Sequence, residues 1–418
     1  MFTNIDSQDL KNLCRNASNT ASDMFVGIKF DWLSSENRYD ISINFPLGYR
    51  ISSDNENVRK DILLLIKILN EYKDKESIVS RSNLVHNDKI STFPIQAYLN
   101  VIQDFIKRNG YYTEKDEMYV SRSSGKVNWN RTIRKEKPIV QKNGIAYLNL
   151  QVRKNNDTDK NLITEINKFC VYESFLKIGW LYKSILPAKP TIKFNKSLFI
   201  SQLKFKLANT NKDEDKLLFK DMLDIVNFLD DTSQGNESQY FGTYNFQYIW
   251  EQLIDLTFGI VEKQLYFPRA TWSLYFSNDR QSSALQPDTI LKQNDICVLD
   301  AKYYKYGETG LSKDLPNSSS INKQITYGEY IANNYKQTSA VYNAFLMPFN
   351  KDSEIFATVN DYLVIGKANS DWKKNENSYE VVLGILVDIK HLMSLKTRPN
   401  LSEISLLVNA IRDDFKHI

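Results

Sequence analysis

Apolar and polar positions alternate most tellingly between residues 286 and 302. Thr289-Ile290-Leu291 and Ile296-Cys297-Val298-Leu299 are apolar runs that flank the polar tetrad Lys292-Gln293-Asn294-Asp295. Two short apolar runs around a polar turn predict a β-hairpin. The first run is preceded by Gln286-Pro287-Asp288, and the second ends on Asp300-Ala301-Lys302. Side chains alternate faces along a strand, so Ile296, Val298, Asp300 and Lys302 share one face and Cys297, Leu299 and Ala301 the other. The pairing brings Asp288 toward Asp300 and Lys302.

Upstream, the spacing of Ile62, Leu65, Ile66 and Leu69 predicts a helix over 58–72. A second helix follows over 93–108, with Pro94 near its start and Asn109-Gly110 at its end. Residues 39–51 read as strand, turn, strand, and 111–120 as a strand. Helices are predicted over 162–182, 217–229 and 246–258, the last carrying Trp250-Glu251. Residues 209–216, centred on Asp213-Glu214-Asp215, read as an exposed loop, and 307–320 as a polar excursion near the hairpin. A helix over 321–334 carries Gln324 and Tyr327 at i,i+3 on one face. Strands follow over 340–348, 362–366 and 379–389, then an amphipathic helix over 401–415. Strands alternating with helices give a mixed α/β or α+β class with a mixed central sheet. The polar stretch 230–239 divides the chain into 1–235 and 236–418.

Composition narrows the chemistry. The 418 residues are long enough for two or three domains. Cys14, Cys170 and Cys297 stand far apart without C-x-x-C spacing, which argues against a zinc site or a disulfide framework and suits a reducing cytoplasm. The three histidines, His86, His391 and His417, are remote in sequence from the hairpin. That leaves a carboxylate-plus-lysine chemistry with little competition. No run of about 18 apolar residues marks a membrane span. Net charge is +4, yet residues 120–154 hold nine Lys and Arg against the single acid Glu136. A local excess of that size favours a polyanionic partner, with a solvated basic face as the alternative.

Two carboxylates and a lysine at a strand end suit phosphodiester hydrolysis. Asp288 and Asp300 would hold a hard divalent cation, Mg²⁺ with Mn²⁺ as a substitute, through oxygen ligands. Lys302 would orient the attacking water and offset charge on the phosphorane. The 288-to-300 spacing matches the PD-(D/E)xK pattern. Glu251 would add a metal or neighbouring contact, and Gln324 would orient Lys302 or DNA. No G-x-x-x-x-G-K-[ST] loop is present, so a nucleotide-driven step must come from a partner.

Trp250-Glu251, Gln286-Pro287-Asp288, the run from Leu299 through Lys302 to Tyr304, and Gln324-Ile325-Thr326-Tyr327-Gly328 resemble the nuclease subunit of LlaJI-type restriction systems. That group is related to McrC. The resemblance extends to the segment from Ser121-Arg122-Ser123-Ser124-Gly125-Lys126 through Trp129-Asn130-Arg131 to Ile133, and to Phe45-Pro46-Leu47-Gly48-Tyr49. It implies a PD-(D/E)xK nuclease core preceded by an α+β N-terminal domain. It also implies cleavage of double-stranded DNA with an McrB-like AAA+ GTPase, GTP being bound by the partner alone. Arg122, Lys126, Trp129, Asn130, Arg131 and Arg134 would then contact DNA or the motor, against the alternative of a core tryptophan with solvated neighbours. Breaking both strands at once requires a second copy. A self-sufficient type II enzyme and a non-catalytic DNA- or motor-binding adaptor remain as alternatives.

Overall fold

The computed structural model describes residues 10–33, 38–79, 93–113, 115–122, 125–141, 144–157, 161–182, 186–231, 239–335, 340–374 and 376–415. Ser123, Ser124, His86, His417 and most of the expected 230–239 boundary lie outside the described residues. Two compact units emerge, and they interleave in sequence. Residues 93–231 form one, while 10–33, 39–79 and 239–415 form the other, so a single cut at 235/236 does not separate them.

The second unit opens with β1 (Cys14–Asn16), β2 (Val26–Leu33) and β3 (Arg38–Phe45), with β3 between the other two. Helix α1 (Asn55–Val79) follows, and its predicted stripe of Ile62, Leu65, Ile66 and Leu69 is buried. No strand follows Phe45 before α1; Pro46 to Tyr49 form a tight turn instead.

In the first unit, α2 (Ile95–Arg108) ends on a left-handed Asn109, as the Asn-Gly pair predicts. After it come β4 (Lys115–Arg122), α3 (Trp129–Lys135), the small hairpin β5 (Ile139–Gln141) and β6 (Gly144–Ala146), and β7 (Leu150–Asp157), which pairs antiparallel with β4. Helices α4 (Leu162–Ile178), α5 (Lys196–Asn209) and α6 (Asp213–Asp231) complete the unit. The Asp-Glu-Asp run is therefore no loop. It forms the first turn of α6, where carboxylates complement the helix dipole, and the buried Asp215 pairs with Arg108 at 2.9 Å.

The chain returns to the second unit as β8 (Gln239–Thr243), which pairs antiparallel with β2. Then follow α7 (Phe246–Phe258), the two-residue strands β9 (Thr271–Trp272) and β10 (Arg280–Gln281), β11 (Thr289–Lys292), β12 (Ile296–Ala301), α8 (Tyr306–Thr309), α9 (Ser318–Asn334), β13 (Val341–Phe349), β14 (Tyr362–Asn369), β15 (Val381–Asp388), α10 (Ile389–Ser394) and α11 (Leu401–Phe415). The polar excursion after Lys302 is thus largely helical. A five-stranded sheet runs β11-β12-β13-β15-β14, with β12, β13 and β15 parallel and both edge strands antiparallel. This is a mixed sheet in an α+β fold. Helix α9 covers one face, where Tyr327 and Ile331 pack on Ile290, Ile296, Val298 and Val341. On the other face Phe415 of α11 lies 4.9 Å from the Tyr342 ring, next to Cys297 in register. Covered on both sides, β12 is buried along its whole length, which is why its sequence reads as a continuous apolar run.

Candidate active site

The predicted hairpin forms, with Thr289 paired to Leu299 and Lys292 to Ile296. One step beyond the ladder, Asp288 faces the end of β12, and the Ala301 amide donates to its Oδ2 at 2.9 Å. Lys302 continues the strand, donating its amide to the Leu346 carbonyl of β13 at 2.9 Å. The same carbonyl accepts the indole N–H of the fully buried Trp250 at 3.2 Å. Lys302 Nζ pairs with Asp300 Oδ2 and lies 5.7 Å from the centre of the Phe345 ring.

The charges at this strand end are mutually tuned. Burial first, then the charges of Asp300 and Glu251, push the Asp288 carboxyl well above its ordinary value. Glu251 is raised by burial and by Asp300, while Lys302, Lys263 and Lys323 act in the opposite sense. Burial works to lower Lys302, but Asp300 and Asp288 outweigh it and raise the ammonium above its usual value. Lys302 is therefore a fixed cation and hydrogen-bond donor at neutral pH, unable to accept a proton as a base.

The structure brings Asp288, Asp300, Lys302, Glu251 and Gln324 to one region. Gln324 is buried, and its Nε2 donates to the Val298 carbonyl at 2.7 Å, so that amide nitrogen is committed to holding α9 on β12. Sequence reasoning missed Lys263, whose Nζ reaches both Asp255 Oδ2 at 2.7 Å and the Asp288 carbonyl. Asp255 also accepts from Thr289 Oγ1 at 3.2 Å, bracing the start of β11 from α7. Its position four residues after Glu251, on the same helical face, was the available signal. Tyr327 donates to the Gln286 carbonyl at 3.3 Å.

The turn at Phe45 to Tyr49 belongs to this site's support. The Leu47 amide donates to the buried Tyr303 hydroxyl at 2.6 Å, the Gly48 amide to Glu308 Oε1 at 2.9 Å, and Asn19 Nδ2 to the Tyr303 carbonyl at 2.8 Å. Gly48 has φ 74°, and a Cβ there would meet the Phe349 backbone at 3.0 Å, so both conformation and space demand glycine.

Among the described residues, no three His, Cys, Asp or Glu side chains are gathered closely enough to form a metal cage. Two carboxylates at the hairpin end are a sparser set, of the kind a water-rich hard cation accepts. No helix among the described residues is long and apolar enough to cross a membrane.

The basic stretch lies in the first unit. Asn128 caps α3 by accepting from the Arg131 amide at 3.1 Å, and the buried Thr132 hydroxyl accepts from the Gln151 amide at 3.0 Å. Glu136 accepts from Ser121 at 2.9 Å and from Gln151 at 2.6 Å. Arg122, Lys126, Trp129, Asn130, Arg131 and Arg134 are all exposed. Trp129 is 57% exposed and Ile133, on the same face of α3, 59%, which rules out the core-tryptophan alternative.

An α+β unit thus ends a buried parallel strand on a carboxylate-x-lysine pair, with a second carboxylate across the hairpin and a third on the neighbouring helix. The sequence matches the LlaJI restriction endonuclease family over residues 37–372, a span that includes both this strand end and the basic stretch, and the chain belongs to that family. Among solved structures it is similar to a chain of the refined half-complex from a tetradecameric assembly of Thermococcus gammatolerans McrB AAA+ hexamers with bound McrC. That similarity covers 94% of this chain and 83% of the other, at 14% sequence identity and a TM-score of 0.36. No curated protein matches the chain.

Proposed function

We propose that this chain is the Mg²⁺-dependent DNA endonuclease subunit of a restriction system, hydrolysing phosphodiester bonds of double-stranded DNA at a PD-(D/E)xK-type site. The supporting observation is the hairpin end: Asp288 just before β11, bonded to the Ala301 amide, and Asp300 on β12, with the Lys302 ammonium on Asp300. The donors fit a hard cation, being carboxylate oxygens with no histidine or thiolate among them. Asp288 and Asp300 would hold it and Glu251 would adjoin it. When bound, the ion supplies Lewis-acid polarisation of the phosphate and acidifies water.

The chain's own residues do the rest. The Ala301 amide fixes one oxygen of Asp288 and so orients the carboxyl group at the strand end. Lys302, kept charged by Asp300 and Asp288, orients the attacking water and donates to the phosphoryl oxygen as charge builds there. The Leu346 carbonyl, holding both the Lys302 amide and Trp250, keeps that lysine at the strand end. Gln324 acts on the strand backbone, as a positioning residue.

An AAA+ GTPase partner follows from the motif resemblance to McrC, and the exposed basic face around Trp129 and Arg134 is the surface offered to DNA or to that motor. A second copy would be needed to cut both strands at once. The test is plasmid cleavage by the full chain in Mg²⁺ and in EDTA, wild type against Asp300→Ala, with and without the AAA+ partner and GTP. Cleavage that needs Mg²⁺ and Asp300, and appears only with partner and GTP, supports the whole reading. Partner-independent cleavage lost in the variant would make the chain a self-sufficient type II enzyme. Equal cleavage by both proteins removes the hairpin end as the active site.

A further inference from the structure

Residues 268–286 leave the fold as an arm. Its base is zipped by the Leu285 amide on the Pro268 carbonyl at 2.9 Å and the Ser282 amide on the Ala270 carbonyl at 2.8 Å. Further out, Trp272 pairs with Arg280 between the two short strands β9 and β10. Asp279, the one acid of the arm, turns inward and caps the tip, with Oδ1 3.3 Å from the Leu274 amide and Oδ2 3.4 Å from Ser273 Oγ.

The tip carries Trp272, Leu274, Tyr275 and Phe276, exposed by 65%, 41%, 98% and 102%. Exposed apolar residues scattered singly need no explanation, but four within five positions on a projecting ribbon do. Strands of two residues offer almost no edge for another chain to extend. At 98% and 102% exposure, Tyr275 and Phe276 line no groove. Arg280, opposite Trp272, and Arg269, nearer the base, are exposed, while the arm's carboxylate is turned into the loop. A protruding aromatic pair on a ribbon that also carries two exposed guanidinium groups suits a polyanion that presents flat π-faces, and stacked bases are that ligand.

The position of the arm makes the same case. Its second strand runs on through Gln286, held by Tyr327, directly into Asp288. At about 3.3 Å per residue the ten residues from Phe276 to Gln286 reach at most about 33 Å, or roughly ten base pairs of rise. A duplex cut at Asp288 and Asp300 therefore lies within reach of the tip. We infer that the arm is a DNA wedge: Tyr275 and Phe276 insert against the bases beside the cut site and unstack a step, while Arg269 and Arg280 take flanking phosphates. This rests on the nuclease reading above.

The test uses the full chain carrying Asp300→Ala and relaxed closed-circular plasmid in Ca²⁺, with a topoisomerase I and linking number as the readout. The wedge requires a linking-number shift that falls by at least half when Tyr275→Ala and Phe276→Ala are added, with plasmid affinity down about ten-fold or more. No shift with Asp300→Ala alone, or an equal shift without the two rings, overturns the wedge. Loss of a dimer on sedimentation, with the shift unchanged, would assign the tip to a second copy of the chain and likewise overturn it. Mg²⁺-dependent nicking by wild type in the presence of the AAA+ partner and GTP, absent in Asp300→Ala, is scored separately, so the wedge can fail while the nuclease reading stands.

Discussion

The Ala301 amide donates to the Asp288 carboxylate at 2.9 Å, tying one acid of the hairpin to the residue that separates the other acid from its lysine. The bond holds two like charges face to face at the end of a buried strand. Their repulsion is a standing cost in the unliganded fold and the attraction offered to a cation.

Asp288 makes that cost measurable. Its folded-state pKa is raised by burial, by Asp300 and by Glu251, so the folded chain binds this proton more tightly than the unfolded one. Stability from this group is then greatest below the unfolded value, about 3.9, and falls as pH rises toward the folded value. Asp288→Asn keeps an acceptor for Ala301 and removes the charge. In EDTA at pH 7 it should be more stable than wild type by on the order of 1 kcal/mol. Thermal melting should show the difference shrinking toward pH 4, and Mg²⁺ should raise the wild-type Tm more than the variant's. A lower Tm for Asp288→Asn at pH 7 contradicts the arrangement.

Tyr303, two residues beyond the end of β12, joins that strand to the turn at Phe45 to Tyr49. Tyr303→Phe leaves the Leu47 amide buried without its 2.6 Å acceptor. The expected loss is about 1–3 kcal/mol, the cost of an unsatisfied buried donor. Urea unfolding should give a lower midpoint with an unchanged m-value. An unaltered midpoint would mean that the turn finds another acceptor.

Gly328 lets α9 lie against β13. A Cβ there would fall 2.4 Å from Asn343 Nδ2, and that amide is held by the Tyr379 carbonyl at 2.7 Å. Gly328→Ala should destabilise by about 1–3 kcal/mol through overpacking. Thr326→Ala, exposed on the same helix, should stay within about 0.5 kcal/mol of wild type. Equal melting of the two variants would show that the helix can shift away at no cost.

What could be read from the sequence follows from how local its cause is. Helices α1, α9 and α11 announce themselves because each buries a face at a regular period, and the β11–β12 hairpin because two continuous apolar runs flank a polar turn. Helix α5 was missed because only Phe199 and Leu203 are buried on it, too few to draw a stripe. Asp213 to Asp215 read as a loop because charge runs are usually solvated, yet Arg108 on another helix buries Asp215. The interleaving of the units depends on β8 pairing with β2, more than 200 residues away, through short strands with no distinctive pattern. The carboxylate-x-lysine pair was legible as a motif, but Lys263 was not, since its place is fixed by Asp255 and a backbone carbonyl.

Trp129 gives the opposite lesson, because tryptophan is by default a core residue and here it is not. With 57% of its surface exposed, Trp129→Ala removes little packing and should change stability by less than about 0.5 kcal/mol. A loss above about 2 kcal/mol would place the ring in a core after all. The function of the surface then separates by salt. If α3 tracks the phosphate backbone, Lys126→Ala and Arg134→Ala should each lower the slope of log affinity against log salt for duplex DNA by about 0.9, uniformly across sequences. If α3 docks on the motor, those slopes stay fixed, while Trp129→Ala weakens capture of the AAA+ partner by about ten-fold or more, as loss of an exposed aromatic anchor does at a protein interface. None of the three substitutions alters a residue of the hairpin end. Metal-dependent nicking of plasmid by the chain, wherever it is measurable, therefore serves as the internal control.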